Sequence, residues 1–204
     1  IGIRLQGIPQ PLPALARLSV PLLLVLAVGA VLYLLIGAPE ARAATLTNAR
    51  GTVEVLPAGH DTWQRISTGH EVEAGDRVRA AESSGAILSL PNGSTIDLKS
   101  KTDVNLVKIE VRRYARDSWD IVVHQRRGRT SNCLRCPANE TYRFEIRTET
   151  ATVVARSTEF SVSVGEDGVT DVEVAEGRVA VTALETTRWP EAGQMTSVHP
   201  EQVP

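Results

Sequence analysis

Two cysteines, Cys133 and Cys136, are the residues whose type and spacing most clearly suggest chemistry. A Cys-x-x-Cys pair can form a disulfide, exchange thiols or supply half of a zinc site. The flanking residues are typical of a loop, whereas a redox-active thiol usually lies at a helix N-terminus. The sequence has no second cysteine pair, and His70 and His124 are isolated. The favoured interpretation is a local disulfide with no metal and no cofactor, and metal binding and free thiols are the alternatives.

Arginines are concentrated before and within the cysteine pair, with Tyr114 and Trp119 among them. The set comprises Arg112, Arg113, Arg116, Arg126, Arg127, Arg129 and Arg135. One interpretation is a surface for an anion or a partner, because guanidinium groups bind carboxylates and phosphates strongly. The other is a solvated strand face whose charges discourage aggregation. The net charge of the whole chain is -2, which does not favour a nucleic-acid partner.

The inventory of catalytic groups does not favour an enzyme. The sequence contains no Gly-x-Ser-x-Gly elbow, no Walker-type loop and no dinucleotide fingerprint. The carboxylates of Glu71, Glu73 and Asp76 coincide with turn signals, where such groups more often bind backbone N–H groups. We expect a non-catalytic protein, and a glycosidase-like carboxylate pair is the least favoured alternative.

An uncharged segment near the N-terminus is long enough to cross a bilayer as a helix. The apolar run Leu18–Gly37 has 20 residues, and a bilayer core requires about 20 helical residues. Arg4 and Arg17 precede the run and Glu40 follows it, so the positive-inside rule places the N-terminus in the cytoplasm. The alternative is a cleaved signal peptide, although the run is longer than a usual h-region.

These features predict five segments. They are a cytoplasmic tail at residues 1–17, a transmembrane helix at 18–38, a linker at 39–48, a β domain at 49–198 and a disordered C-terminus at 199–204. The first residue is Ile1 and not Met, so we expect the tail to be truncated. The expected location is the cell membrane, with a single pass and the β domain outside the cytoplasm.

After residue 48 the chain has the pattern of an all-β domain. Short runs such as Ile87–Leu90 and Phe160–Val164 alternate apolar with polar residues, which is the period of a strand with one wet face. Asn92-Gly93 predicts a hairpin with a type I′ turn, and Asp167-Gly168 predicts a second one. Many short strands of this kind predict a β-sandwich, a barrel or a solenoid-like β domain.

A weak internal echo accompanies this pattern. Gly51-Thr52-Val53-Glu54-Val55 resembles Gly177-Arg178-Val179-Ala180-Val181. One interpretation is a strand that is entered through a tight glycine turn and used twice. The other is chance in a β protein rich in glycine and valine.

Seven motifs follow one another along the chain in the order typical of the FecR-type domain of membrane-bound bacterial regulators, and they resemble that domain. Examples are Gly75-Asp76-Arg77-Val78-Arg79, Thr158-Glu159-Phe160 and Glu176-Gly177-Arg178-Val179. The motif positions that look structural are Gly51, Trp63, Gly75, Asp76, Asn92, Gly93, Thr158, Phe160, Gly177 and Gly193. The sequence departs from the family pattern at Ser157, where glycine is usual, and over residues 108–143, which are longer and more charged.

The resemblance implies a membrane-anchored sensing and regulatory domain outside the cytoplasm. Such a domain would bind a protein partner and relay a signal across the membrane to a sigma factor. The alternative function is a structural or adhesive module of the envelope that binds glycan or protein without signalling.

Overall fold

The computed structural model of the chain describes residues 24–29, 39–113, 117–135 and 141–200. The chain divides into two compact units, Ile1–Ala38 and Pro39–Pro204. Residues 24–29 of the first unit are α-helical. The rest of the predicted transmembrane segment, the predicted tail at 1–17 and residues 201–204 lie outside the described residues. In the part of the chain that is described, no helix combines the length and the apolar character needed to span a bilayer.

The second unit is built from β-strands, so the prediction of an all-β domain is confirmed. The strands are β1 (Glu40–Ala41), β2 (Ala44–Arg50), β3 (Val53–Leu56), β4 (Gln64–Ile66), β5 (Glu71–Val72), β6 (Arg77–Ala80), β7 (Gly85–Ser89), β8 (Thr95–Leu98), β9 (Asp103–Arg113), β10 (Asp117–Cys133), β11 (Thr141–Arg147), β12 (Thr152–Ala155), β13 (Glu159–Val164), β14 (Thr170–Glu176), β15 (Val179–Ala183), β16 (Thr186–Arg188) and β17 (Met195–Val198).

The strands form two sheets that share one strand, β10. Sheet 1 has the order β4-β3-β6-β9-β10-β11-β12-β15-β16, and β1 also pairs with β9. Sheet 2 has the order β5-β2-β7-β8-β10-β13-β14-β17. The β10–β11 pair is parallel, and the other pairs between the described strands are antiparallel. The two sheets are therefore one continuous hydrogen-bonded system.

The first part of β10 belongs to sheet 1 and the last part to sheet 2, and the chain turns between them at Gly128. Residues from Asp117 to Arg127 pair with β9, whereas residues from Gly128 to Cys133 pair with β13. Gly128 has a φ of 83°. A Cβ at this position would lie 2.5 Å from the Cα of Thr102. Only glycine fits this corner without strain, because other residues disfavour positive φ and would clash with the neighbouring backbone.

The core between the sheets consists of the inward-facing residues of both. Alternation is clear in β7 and β8, where Ala86, Leu88, Ile96 and Leu98 are buried and their neighbours are half-buried. The ring of Phe144 in sheet 1 meets that of Phe160 in sheet 2 edge-on, with the centroids 6.2 Å apart. Full burial of such a side chain contributes about 1.5–3 kcal/mol. The core therefore joins the two sheets through apolar packing as well as through β10.

Three polar side chains of β10 are fully buried at the corner, and they bond to one another. The Gln125 amide nitrogen donates to the carbonyl oxygens of Gly128 at 2.8 Å and Val162 at 2.9 Å. The Thr130 hydroxyl donates to Gln125 Oε1 at 2.8 Å, and the Asn132 amide donates to Thr130 Oγ1 at 3.1 Å. Because an unpaired buried polar group is costly, this chain of bonds favours the observed path of β10 over alternatives.

Both predicted hairpins are present, but neither has the expected type I′ turn. In the first, Leu90 N–H donates to the Ser94 carbonyl and Gly93 N–H donates to the Leu90 carbonyl. This pattern closes a three-residue loop, and only Gly93 in it has positive φ. The reason is Pro91, whose ring fixes φ near −65° at the first loop position. The hairpin at Asp167-Gly168 repeats the same bonding pattern.

The internal echo marks two places where the chain passes from sheet 2 to sheet 1. Gly51 connects β2 to β3, and Gly177 connects β14 to β15. Counted outward from β10 in sheet 1, β3 is the third strand on one side, after β9 and β6. β15 is the third strand on the other side, after β11 and β12. The two similar sequences thus occupy equivalent positions on opposite sides of the shared strand.

We predict that Gly128→Ala lowers the free energy of unfolding by about 3–5 kcal/mol, since it adds both backbone strain and a clash. The matched control is Gly59→Ala, because Gly59 also has positive φ but has no atom within 4 Å of an added Cβ. The control should lose only about 1 kcal/mol. Urea denaturation of the two variants measures the difference, and equal losses would contradict the steric role of the corner.

Candidate partner-binding surface

A β-bulge next to the Gly128 corner places two consecutive arginines on the surface. The register between β10 and β9 shifts between Gln125 and Arg127. Arg126 and Arg127 are both exposed, although successive residues of a regular strand point to opposite faces. A bulge redirects side chains in this way and often lies beside a functional site.

The two arginines line a groove of about 360 Å³, which we call the corner groove. Its lining consists of Trp63, Arg77, Arg79, Asp103, Arg126, Arg127 and Glu149. Four of these seven side chains are arginines and two are carboxylates, so the lining carries a net positive charge. Guanidinium groups in such numbers favour a ligand or partner with carboxylate or phosphate groups.

Arg77 and Arg79 form the rigid side of the corner groove. Arg77 donates two hydrogen bonds to the buried carboxylate of Asp103, at 2.7 and 2.6 Å. These bonds raise the pKa of Arg77, with burial acting in the opposite direction. Arg79 donates to Glu54 at 2.7 Å. Both guanidinium groups lie over the ring of Trp63, at 3.9 Å from its centre for Arg79 and 5.3 Å for Arg77. Cation–π contacts and ion pairs hold this side in place.

Arg126 and Arg127 form the free side of the corner groove. Among the residues that the structure describes, neither has a carboxylate within ion-pair distance. By contrast, Arg143 and Arg147 on the neighbouring β11 both donate to the buried carboxylate of Glu145. Charges that are already neutralised have little to offer a partner, so Arg126 and Arg127 are the groups best placed to bind one.

The corner groove continues into a larger one of about 870 Å³, here called the end groove. The two share Arg126, Arg127 and Glu149. The end groove also contains the β13–β14 loop at residues 165–168 and the tip of the β15–β16 hairpin, where Leu184 is 80% exposed. The surface therefore offers adjoining charged and apolar parts, as protein-binding surfaces commonly do.

The predicted basic residues do not form one surface. Arg126 and Arg127 lie together, but Arg129 lies past the corner and donates to Ser161 and Glu173. Arg135 lies beside the first hairpin, where its N–H donates to Ser94 Oγ at 2.9 Å. Arg112 pairs with Ser118, which is roughly 26 Å along β10 from Arg126. Arg116 and the side chain of Arg113 lie outside the described residues.

The cysteine prediction stays a prediction. Cys133 is exposed at the end of β10, and Cys136 lies outside the described residues. No group of three or more histidine, cysteine or acidic side chains in the described ranges is placed to hold a metal ion.

The predicted motif residues have structural contacts in most cases. The buried Asp76 carboxylate accepts hydrogen bonds from the backbone N–H groups of Ala58 and Glu73, both at 2.9 Å. Phe160 and Thr158 are buried, and a Cβ at Gly177 would lie 2.6 Å from Thr158. The remaining motif positions lie in turns and have positive φ, namely Gly51, Gly75, Gly93 and Gly193, or belong to the first hairpin, as does Asn92.

Trp63 differs from these motif residues, since it lines the corner groove as well as packing against arginines. Sequence reasoning missed Arg77, Arg79, Asp103 and Glu149 as parts of this surface. The alternation Arg77-Val78-Arg79 was the available signal, because it places both arginines on the same outer face of a strand.

His124 lies half-buried on the outer face of sheet 1, opposite Asn105 and Arg147. Its pKa is lowered from the ordinary 6.5, first by burial and then by the positive charge of Arg126. Arg147 and Arg77 lower the pKa further, and Glu149 opposes them. The unfolded chain therefore binds a proton at His124 more readily than the folded chain does.

We predict that His124 makes the protein less stable as the pH falls below about 6.5, because the unfolded state gains the proton first. This loss of unfolding free energy is absent above the pKa of His124 in the unfolded chain. It is complete below the lowered pKa of His124 in the folded chain. In His124→Gln, the loss of unfolding free energy between pH 8 and pH 5 should be smaller than in the wild type. Urea denaturation at both pH values tests this, and equal losses would contradict it.

A family model described as FecR protein matches residues 76–180, just over half of the chain. No curated protein matches the chain.

Two crystal structures of a candidate anti-sigma factor from Parabacteroides distasonis ATCC 8503 are similar in structure. The structure at 2.50 Å resolution has a TM-score of 0.46 and the one at 1.65 Å a TM-score of 0.47, each with 18% sequence identity. The similarity covers 60% of this chain and 59% of each of those chains, so the chain matches about three fifths of their length.

Proposed function

The chain belongs to the FecR protein family, and from this premise we propose that it is a membrane-anchored regulatory domain that acts outside the cytoplasm. In this proposal residues 18–38 cross the membrane, the β domain binds a protein partner, and the signal passes to a sigma factor inside the cell. The observation that carries the proposal is the family match over residues 76–180, which spans β6 to β14 and so includes β10 and the corner.

The role we propose is binding and not catalysis. The buried carboxylates of Asp76, Asp103 and Glu145 are all engaged in hydrogen bonds or ion pairs within the fold. A general acid or base must be available to a substrate, and these groups are not. Arg126 and Arg127 of the corner groove have no ion pair among the described residues, and such groups suit recognition of an acidic surface.

β9 connects the corner groove with β1, the first strand of the second unit. β9 begins at Asp103, which lines the groove. Near its other end β9 pairs with β1, since Glu40 pairs with Val111 and Arg42 N–H donates to the Ile109 carbonyl at 2.9 Å. We propose that docking at the groove changes the position of β9, and that β1 transmits the change towards residue 38.

The regulatory role is tested in the source bacterium by deleting the gene and sequencing the transcripts. We expect a defined set of genes to change, and the wild-type gene to restore it. Arg126→Glu combined with Arg127→Glu should fail to restore it, because the charge reversal removes the attraction for an acidic partner. The matched control is Arg156→Glu, an exposed arginine outside the groove lining. An unchanged transcriptome after deletion would contradict regulation and favour an envelope module instead.

The anchor is tested by membrane fractionation. We expect the full chain to remain in carbonate-washed membranes, and removal of residues 18–37 to release most of it, because the apolar run is the part that lipid would hold. Removal of residues 2–16 serves as the control and should leave the chain in the membrane. Recovery of the intact chain in the soluble fraction would contradict the anchor without bearing on the fold.

A further inference from the structure

The two ends of sheet 2 differ in how they are covered. At one end β5 pairs with β2 through Ala44–Val72 and Thr45–Glu71, so the outer edge of β2 has a partner. At the other end β17 pairs with β14 alone among the described strands. The outer edge of β17 is therefore open within the described part of the chain, and an open edge is a template for another strand.

The direction of the backbone groups on β17 follows from its register. Val174 N–H donates to the Gln194 carbonyl at 3.0 Å, and Val172 lies opposite Thr196. Because hydrogen-bonded pairs alternate along an antiparallel ladder, Thr196 bonds towards β14 and Ser197 faces away. The N–H and C=O groups of Ser197 are consequently available at the open edge.

The sequence of β17 does not protect this edge. Soluble proteins usually block an open strand with lysine, proline or an inward charge. Met195, Thr196, Ser197 and Val198 include none of these, and Met195 is 66% exposed. An unprotected edge of this kind indicates that a strand from elsewhere pairs with it.

A groove of about 270 Å³ lies between this edge and β15–β16, and we call it the edge groove. It shares Ala183, Val198 and His199 with the end groove, so the two are continuous. Val181, Ala183 and Val198 give it an apolar floor. An added strand could therefore bury alternate apolar side chains here.

The charge of the edge groove is set by Arg188. No carboxylate lines the groove, and within the described ranges Arg188 has no acidic side chain at ion-pair distance. A second copy of this chain would bring its own β17, which carries no carboxylate, and Arg188 would stay unpaired. An acidic partner is the occupant that satisfies both the strand edge and the arginine.

We propose that the open edge of β17 binds an extended, acidic segment of another protein as an added β-strand. Its backbone pairs with Ser197 and its inward side chains enter the edge groove. One of these inward side chains is a carboxylate that pairs with Arg188, which lies on the same face of its sheet as Val181. This inference rests on the proposed function and specifies the chemistry of the partner. Main-chain bonds supply affinity in this mode of recognition, and the side-chain pockets supply specificity.

The test uses the full chain in detergent micelles and a fluorescein-labelled peptide, read by fluorescence anisotropy. Threonine occupies every second position of this peptide, and the remaining positions are valine except for one glutamate, so that the valines and the glutamate share one face. We expect saturable binding of this peptide, and binding at least about tenfold weaker when lysine replaces glutamate. Ser197→Pro removes the outward N–H and should weaken binding at least about tenfold. Arg188→Glu should weaken it to a similar extent.

The matched control is Ser197→Ala, which loses the hydroxyl bond to Asp171 but keeps the N–H. It should bind within about twofold of the wild type. Thermal unfolding verifies that each variant is folded, and Met195→Pro replaces Ser197→Pro should the latter unfold, because the alternation also directs the N–H of residue 195 outward.

Three results would overturn the proposal. They are no binding of the glutamate peptide, equal binding of the lysine peptide, and wild-type binding by the proline variant. A dimer in sedimentation velocity that Ser197→Pro abolishes would assign the edge to a second copy instead. The assay contains no sigma factor, so its failure leaves the regulatory role standing. If deletion of the gene left the transcriptome unchanged while the peptide still bound, the regulatory role would be contradicted and the binding at the β17 edge would stand.

Discussion

The change of sheet within β10 is the constraint on which the rest of the fold depends. The parallel pair places Thr141 beside Ser118, yet only eight steps of chain separate Thr141 from Cys133, which span at most about 28 Å. A straight strand from Ser118 to Cys133 would be roughly 50 Å long. The strand must therefore turn back on itself, and the turn at Gly128 satisfies that requirement.

The same turn accounts for the position of the candidate surface. The bulge at Gln125–Arg127 directly precedes the turn, and β6, β9 and the β11–β12 loop converge on it. Buried Gln125 faces inward and bonds across the turn, whereas Arg126 and Arg127 face outward. One local irregularity thus contributes side chains both to the interior and to the candidate binding surface.

Sequence reasoning recovered the regular part of the molecule. Runs such as Val53–Val55 and Ile96–Leu98 have one buried face and one wetter face, so their period of two was informative, and the glycines of the hairpins marked the turns between them. β10 could not be recognised in this way. Its last part carries polar Thr130 and Asn132 at buried positions, and a pattern-based reading assigns polar residues to the surface. Pairing with four strands is a long-range property that no local pattern contains.

The candidate surface was only partly accessible from sequence for a similar reason. The density of arginines indicated where charge is concentrated, but their partners decide which of them are available. The guanidinium of Arg129 is bound to Ser161 and Glu173, Arg135 lies beside the first hairpin, and Arg112 lies far along the strand. Trp63, Arg77 and Glu149 come from separate parts of the chain, and only the closed fold brings them together around Arg126 and Arg127.

Sharing β10 between the sheets also has a consequence for cooperativity. Strands that precede β10 and strands that follow it are joined to opposite edges of the same strand in both sheets. If β10 separates from the strands of one half, the backbone hydrogen bonds between β10 and the strands of the other half are therefore exposed as well. The two halves, despite their echo of one another, are bound to melt as one unit, and an incomplete chain that ends before β10 has no finished sheet on which to fold.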